Sequence, residues 1–279
     1  MRDLAGKTQL LSINGATLRK QGNLVEMIDA IAAAGVGGIA PWRDQLEAAG
    51  LREAARRIAD KGLAVTGVCR AGLFTNEGRG AVQKVLDDNR RAIDEAAAVK
   101  ARCLIIVGGG LEPGSRDIAG ARSLVLDGLG ALLPHARAAG VPLAIEPLHP
   151  MYAADRCCIN TLAQANDLCD ALGAGTGVAV DVYHVWWDGD LQREIARAGA
   201  AKRVLAFHIC DWLVPTTDML LDRGMMGDGV IDILRIRGWV EAAGFDGLCE
   251  AEIFSERNWW KRPMAEVIAT CCERFQTVC

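Results

Sequence analysis

The 279-residue chain has no apolar run approaching the roughly 20 residues of a membrane-spanning helix, which argues against a membrane-embedded protein. It also has no basic cluster. Its 31 lysines and arginines face 35 acidic residues, giving a net charge of −4 and a pI near 5.7, so no polyanion-binding surface is expected. Among its ten cysteines there is no Cys-x-x-Cys; Cys157-Cys158 and Cys271-Cys272 are adjacent, and Cys103, Cys210 and Cys249 lie inside apolar runs. A thiol in such a run acts as a small hydrophobe, and a chain this long folds without disulfides, so all ten are expected to be reduced. No Pro/Ser-rich linker interrupts the sequence, and Met1-Arg2-Asp3 does not begin a signal peptide. These features lead to the expectation of a cytoplasmic protein, folded as one domain over 1–279, with neither nucleic acid nor membrane as a partner.

With 51% hydrophobic and 24% charged residues, the chain can build a large core. Its pattern is strand then helix, repeated. Strands are expected at 8–13, 36–41, 63–69 and 103–107, and helices at 23–34, 44–61, 80–100 and 116–139. Four more strands follow, with helices near 161–172, 190–198, 232–243 and 263–275. Ala34-Gly35, Ala139-Gly140 and Ala243-Gly244 supply helix stops. Eight β–α units in regular order predict an α/β fold, a single parallel (β/α)8 TIM barrel. A doubly wound dinucleotide fold fits less well. Gly35-Val36-Gly37-Gly38 precedes its strand where a phosphate-binding fingerprint must follow one, and Gly108-Gly109-Gly110 reads as a tight turn.

The last four strands share one form. Val-Pro-Leu-Ala-Ile-Glu at 141–146, Gly-Val-Ala-Val-Asp at 177–181, Arg-Val-Leu-Ala-Phe-His at 203–208 and Gly-Leu-Cys-Glu-Ala-Glu at 247–252 each end on a side chain able to bind a metal. Alternation along a strand puts Ala144, Ala179, Ala206 and Glu250 on the same inner face as Glu146, Asp181, His208 and Glu252. Leu143, Ile145, Val178, Val180, Leu205 and Phe207 then point outward to the helices. The opposite phase would bury four polar groups against the helices. All four polar residues fall at strand C-terminal ends, the face on which barrels carry their chemistry. Three carboxylates and one imidazole suit one divalent ion, Mn²⁺ first, with Mg²⁺, Co²⁺ or Zn²⁺ as alternatives. Glu250, one layer lower, is either a partner of this set or a ligand in place of Glu252.

In Ile-Glu-Pro-Leu-His-Pro at 145–150, Asp-Val-Tyr-His at 181–184, Phe-His-Ile-Cys-Asp at 207–211, Gly-Asp-Gly-Val-Ile-Asp at 227–232 and Ala-Glu-Ile-Phe-Ser at 251–255, the chain resembles the xylose-isomerase-like barrel superfamily. The resemblance is to its branch of sugar-phosphate isomerases/epimerases and ketose 3-epimerases. It covers the C-terminal half; the first 140 residues match only in β/α rhythm. It implies Glu146, Asp181, His208 and Glu252 as ligands of one divalent metal, Glu146 and Glu252 as acid and base, and His184 as a substrate contact. Tyr152 and Val214 stand where ketose 3-epimerases have a Glu and an Arg, which leaves the substrate open.

The chemistry follows independently. Removing a proton next to a carbonyl leaves an enediolate, which a cation stabilises, and returning the proton on the other face needs a second carboxylate. A sugar-like small molecule is the expected substrate. Arg223, in the 213–230 loop, could hold a phosphate or a sugar hydroxyl; His149 and Asp211 stand close to the proposed ligands, and Trp42-Arg43 could form a pocket wall. Trp186-Trp187 and Trp259-Trp260 either stack on a sugar or are buried in the contact of a homodimer or homotetramer. His135 sits in a helix and reads as structural. The competing functions are a keto-sugar or keto-inositol dehydratase, an endonuclease IV-like phosphodiesterase, for which four histidines are too few, and a non-catalytic sugar-binding barrel.

Overall fold

The computed structural model describes residues 1–75 and 81–279. Its parallel strands are β1 (Leu11–Asn14), β2 (Gly38–Ala40), β3 (Ala64–Val65), β4 (Val68–Gly72), β5 (Leu104–Val107), β6 (Leu143–Ile145), β7 (Thr176–Asp181), β8 (Val204–Ile209) and β11 (Cys249–Ala251). Between β8 and β11, β9 (Asp211–Trp212) and β10 (Arg223–Gly224) form a separate antiparallel pair. The helices are α1 (Leu24–Ala33), α2 (Arg43–Ala49), α3 (Leu51–Asp60), α4 (Val82–Ala98), α5 (Ile118–Ala139), α6 (Leu162–Leu172), α7 (Val182–Val185), α8 (Leu191–Ala200), α9 (Ile233–Ala242) and α10 (Met264–Thr277). The start of the helix expected at 80–100 lies outside the described residues. No helix among the described residues is long and apolar enough to cross a membrane.

The parallel strands lie side by side in the order β3-β2-β1-β11-β8-β7-β6-β5-β4. The two ends of this row are pieces of one stave: β3 pairs with β2 and β4 with β5, with Thr66-Gly67 between them. A bridge between Trp42 and Cys69, with Cys69 N donating to Pro41 O at 3.1 Å, spans the seam. Nine strands thus make the eight staves of a single nearly closed barrel ringed by helices.

Three boundaries differ from the sequence reading. Residues 8–10 wind into a 3-10 turn, so the first stave starts at Leu11. The strand expected at 63–69 is the split stave, and it runs on to Gly72. The charged helix expected at 44–61 is two helices, because Gly50 takes φ +79° and ends α2 before α3 begins. The three Ala-Gly stops hold, with φ of +70°, +69° and +90° at Gly35, Gly140 and Gly244. Helix starts also follow local chemistry: Asn23 and Glu26 form a capping box on α1, Thr161 caps α6 and Asp232 caps α9.

Packing follows the predicted phase. Inside the barrel, Cys69, Cys103, Ile105, Ala144, Ala179 and Ala206 form a cluster of mostly small side chains. Leu143, Ile145, Val178, Val180 and Phe207 belong to the larger layer between staves and helices. Each fully buried Leu, Ile or Phe there contributes about 1.5–3 kcal/mol. Leu205 departs from its expected outward direction. The β7–β8 register slips between Val178↔Val204 and Ala179↔Ala206, so Leu205 falls between paired positions and packs against the inner cluster. All ten cysteines are free thiols, and only Cys272 is not fully buried.

Candidate active site

Strand register assembles the site. Asp181 on β7 lies opposite His208 on β8, and His208 lies opposite Glu250 on β11. Glu146 follows β6 directly, its N–H donating to Ile106 O at 3.0 Å, and Glu252 follows β11, its N–H donating to Ile209 O at 3.1 Å. One nitrogen or oxygen from each of Glu146, Asp181, His208 and Glu252 lies within 4.8 Å of the others. All four side chains are buried.

His208 Nδ1 stands 3.0 Å from Glu146 Oε1 and 3.7 Å from Glu252 Oε2. Neither Nδ1 nor Glu146 Oε1 makes a hydrogen bond, although both are buried. With the ring deprotonated, an imidazole nitrogen and a carboxylate oxygen at this distance, without the alignment of a hydrogen bond, fit a position shared with a cation. Ligands around one ion at about 2.1 Å are about 3–4 Å apart, so the group needs at most a slight contraction to hold one. Three oxygens and one imidazole nitrogen suit a hard or borderline divalent ion.

The electrostatics of the cation-free cluster reflect crowding of carboxylates. Burial works against a charged His208, yet Glu250, Glu146 and Glu252 outweigh it and hold its affinity for a proton well above that of an ordinary imidazole. Burial also pushes the Glu252 carboxyl up to about 8, despite Arg223 and His208 nearby. Asp181 goes the other way. Burial is the largest influence and opposes its ionisation, but Arg223, His184 and His208 together bring it down to about 2.

Glu250 lies below this group, outside it. It accepts from Asn14 Nδ2 at 2.6 Å and Thr66 Oγ1 at 2.5 Å, and its Oε1 is 3.5 Å from His208 Nε2. Arg223, from β10, places Nη1 2.9 Å from Asp181 Oδ2 and 3.3 Å from Glu252 Oε2. Its guanidinium lies over the rings of Tyr183 at 4.4 Å and Phe254 at 5.1 Å. His184 Nδ1 lies 3.2 Å from the His149 N–H, and its Nε2 lies 3.1 Å from Arg223 Nη2, a group that can only donate, and 3.6 Å from Asp181 Oδ2. Burial, only partly countered by Asp181, pushes His184 down to about 3, so the ring is neutral.

Above the group opens a cavity of about 230 Å³, a size for a small molecule and not a polymer. Glu146 and Glu252 line it, together with His184, Arg223 and Trp42. The Trp42 ring meets Phe254 edge-on at 5.7 Å, and its Nε1 donates to Asn14 Oδ1 at 2.7 Å.

Other candidates are placed differently. Arg43 points away from the cavity, with Nη1 2.8 Å from Asp88 and Nε 2.6 Å from Glu95. Asp211 accepts the N–H groups of Trp212 at 2.8 Å and of Gly227, Gly229 and Ile231 at 2.9 Å, so it organises the loop rather than facing a ligand. His149 stacks on Trp212 at 4.9 Å beside the cavity. Trp187 is partly exposed, and its Nε1 donates to His184 O, whereas Trp259 and Trp260 are buried within the chain. Gly110 fits its turn because a Cβ there would stand 2.4 Å from Ala154 O. His135 pairs with Asp94 on the surface at 2.8 Å.

The sequence reading did not select Arg70 and Arg156 for the cavity, and it treated Tyr152 only as a departure from a motif; all three line it. A lone arginine on a strand or loop carries no spacing signal. Arg70 is placed by the continuation of β4 beyond Cys69, and Arg156 by the fold of the segment after β6.

A family model described as the xylose isomerase-like TIM barrel matches residues 28–272, and the chain belongs to that family. Among solved structures, protein SMc04130 from Sinorhizobium meliloti 1021 is 60% identical with a TM-score of 0.96, over 98% of this chain and 99% of that one. An IolI protein with a bound zinc atom superposes with a TM-score of 0.82 at 19% identity, over 96% and 97% of the two chains. The E. coli 3-keto-D-glucoside 4-epimerase YcjR superposes with a TM-score of 0.75 at 19% identity, over 95% and 98%. The last two likenesses are of fold. No curated protein sequence matches the chain.

Proposed function

We propose that the protein is a divalent-metal-dependent isomerase or epimerase of a small sugar, sugar phosphate or polyol derivative. The observation that carries this reading is the meeting of His208 Nδ1 and Glu146 Oε1 at 3.0 Å, unbonded, with Asp181 and Glu252 completing the group. Family membership, the zinc in the IolI structure and the epimerase activity named for YcjR support it. Glu146, Asp181, His208 and Glu252 are the proposed ligands, with Mn²⁺ favoured by the three oxygens. A divalent cation held there supplies Lewis-acid stabilisation of the negative charge that develops on the substrate oxygens.

The chain's own residues account for the proton transfers. Glu146 and Glu252 come from staves separated by β7 and β8, and both line the cavity. One takes the proton from the carbon beside the carbonyl, and the other returns a proton to the opposite face of the enediolate or to the neighbouring carbon. His184, neutral, lines the cavity with its Nε2 engaged by Arg223 Nη2 at 3.1 Å; Trp42 and Phe254 give an apolar wall for the C–H face of a sugar.

The test is α-proton exchange in D₂O, followed by NMR on metal-stripped and manganese-reloaded protein. The panel consists of ketoses, their phosphates and keto-inositols. Solvent deuterium should enter one of these only when metal is present. Incorporation accompanied by loss of water would identify a dehydratase, which begins with the same proton abstraction. No exchange with any member would refute the reading.

A further inference from the structure

We propose that the cavity contains an anion subsite formed by Arg70, Arg156 and Tyr152, so that the substrate carries an oxyanion, a carboxylate or phosphate, apart from its reacting carbons. The inference rests on the reading of this cavity as the active site.

Arg70 is half-buried in the cavity wall, and among the described residues it makes no hydrogen bond or ion pair. Among the described residues Arg156 makes one ion pair, a long one of 3.9 Å with the neighbouring Asp155, and acts electrostatically on Asp218; its guanidinium lies 5.4 Å from the Tyr152 ring centre. Other buried or half-buried arginines carry ion pairs: Arg223 with Asp181 and Glu252, Arg43 with Asp88 and Glu95, Arg237 with Glu241. Burial and the nearby Arg156 weaken the hold of Arg70 on its proton and outweigh the opposing pull of Cys69, Glu146 and Glu252.

A third group points the same way. Tyr152 is 6% exposed, lines the cavity and keeps a buried hydroxyl with no hydrogen-bond partner among the described residues. A buried donor without an acceptor is costly unless a ligand supplies one.

The charge balance strengthens the case. With a divalent ion in place and both histidines neutral, the three carboxylates of the metal group are offset by that ion and Arg223. Beside that group, Arg70 makes no ion pair among the described residues and Arg156 only the long one to Asp155, so two guanidiniums stand on the wall of a cavity of about 230 Å³. Two guanidiniums and a phenol match the acceptor oxygens of one carboxylate or phosphate. The substrate class becomes a keto-sugar acid or a keto-sugar phosphate.

The probes are D-fructose, D-fructose 6-phosphate and D-fructuronate, which share a ketose skeleton and differ at the terminal carbon. Calorimetric titration into the manganese-loaded protein should show one of the two anions binding about tenfold or more tighter than fructose. Which one does so separates a phosphate ligand from a carboxylate. In Arg70→Gln and in Arg156→Gln the ratio should collapse to near unity, whereas Arg70→Lys should keep part of it. Arg156 is on a partly exposed loop, so its variant remains informative if a change at Arg70 impairs folding. Equal affinity for the three ligands, no binding by any of them, or a preference that survives both Gln substitutions overturns the proposal. Deuterium exchange measured in the same samples keeps the two ideas apart. Exchange without anion preference removes the subsite alone; preference without exchange removes the isomerase reading alone.

Discussion

Glu250 Oε1 stands 3.5 Å from His208 Nε2, on the opposite side of the ring from Glu146 and Glu252. Asn14 and Thr66 hold the carboxylate in place from β1 and from the break in the third stave. The imidazole presents Nε2 to this carboxylate without a formed hydrogen bond, and Nδ1 to Glu146 and Glu252. A carboxylate behind a ligating histidine fixes its tautomer and raises its basicity. Glu250→Gln should therefore weaken manganese binding by about 10–100-fold while the fold persists. Metal-chelator competition measures this; unchanged affinity would show that Glu250 has no part in orienting His208.

Glu146→Gln and Glu252→Gln test the two-carboxylate mechanism. Each should reduce solvent-deuterium exchange by at least about a thousandfold, because an amide can neither accept nor return the proton. Single-turnover exchange at saturating manganese separates this effect from weaker metal binding. Wild-type-like exchange in either variant would remove that residue from the proton path.

Metal binding should be strongly pH-dependent. In the cation-free protein, neighbouring carboxylates keep His208 protonated well above the ordinary imidazole range, and Glu252 holds a proton up to about 8. Only the deprotonated groups bind a cation, so affinity rises with pH and falls as the medium is acidified below these values. Near neutrality each manganese ion bound should release between one and two protons. Titration in buffers of different ionisation enthalpy counts them, and zero released protons would contradict the arrangement.

Asp211 anchors the loop that delivers Arg223. Its carboxylate accepts four backbone N–H groups, three of them between Gly227 and Ile231. Asp211→Ala leaves those donors buried or half-buried without an acceptor and should cost about 1–3 kcal/mol. Thermal unfolding and urea titration read that loss. Limited proteolysis should cut the loop sooner in the variant, and equal digestion rates would argue against its anchoring role.

The staves and their inner face were legible because Ala144, Ala179 and Ala206 alternate with branched residues ahead of each polar end. That alternation fixes which way Glu146, Asp181 and His208 point, since a slip of one residue would bury charge against the helices. What stayed hidden depends on partners distant in sequence. Arg43 and Asp211 adjoin strand ends, yet Asp88 and Glu95 draw one away and the 227–231 backbone engages the other. The helix break at Gly50 was masked by a charge pattern that runs through it without interruption. Arg70 becomes noticeable only once the cavity is seen and no ion pair to it is found among the described residues.

Arg223 reaches the acidic group from the β9–β10 hairpin and not from a stave. The barrel alone would gather Glu146, Asp181 and Glu252 with only histidines to offset them, so their proximity is tolerable only after the hairpin has docked. Its seat is secured by the Arg223 N–H donating to Phe254 O at 2.8 Å, across to the segment that carries Glu252. The closing stave and this clip are therefore tied together, so a change that loosens the hairpin also withdraws the one arginine that faces Asp181 and Glu252 among the described residues.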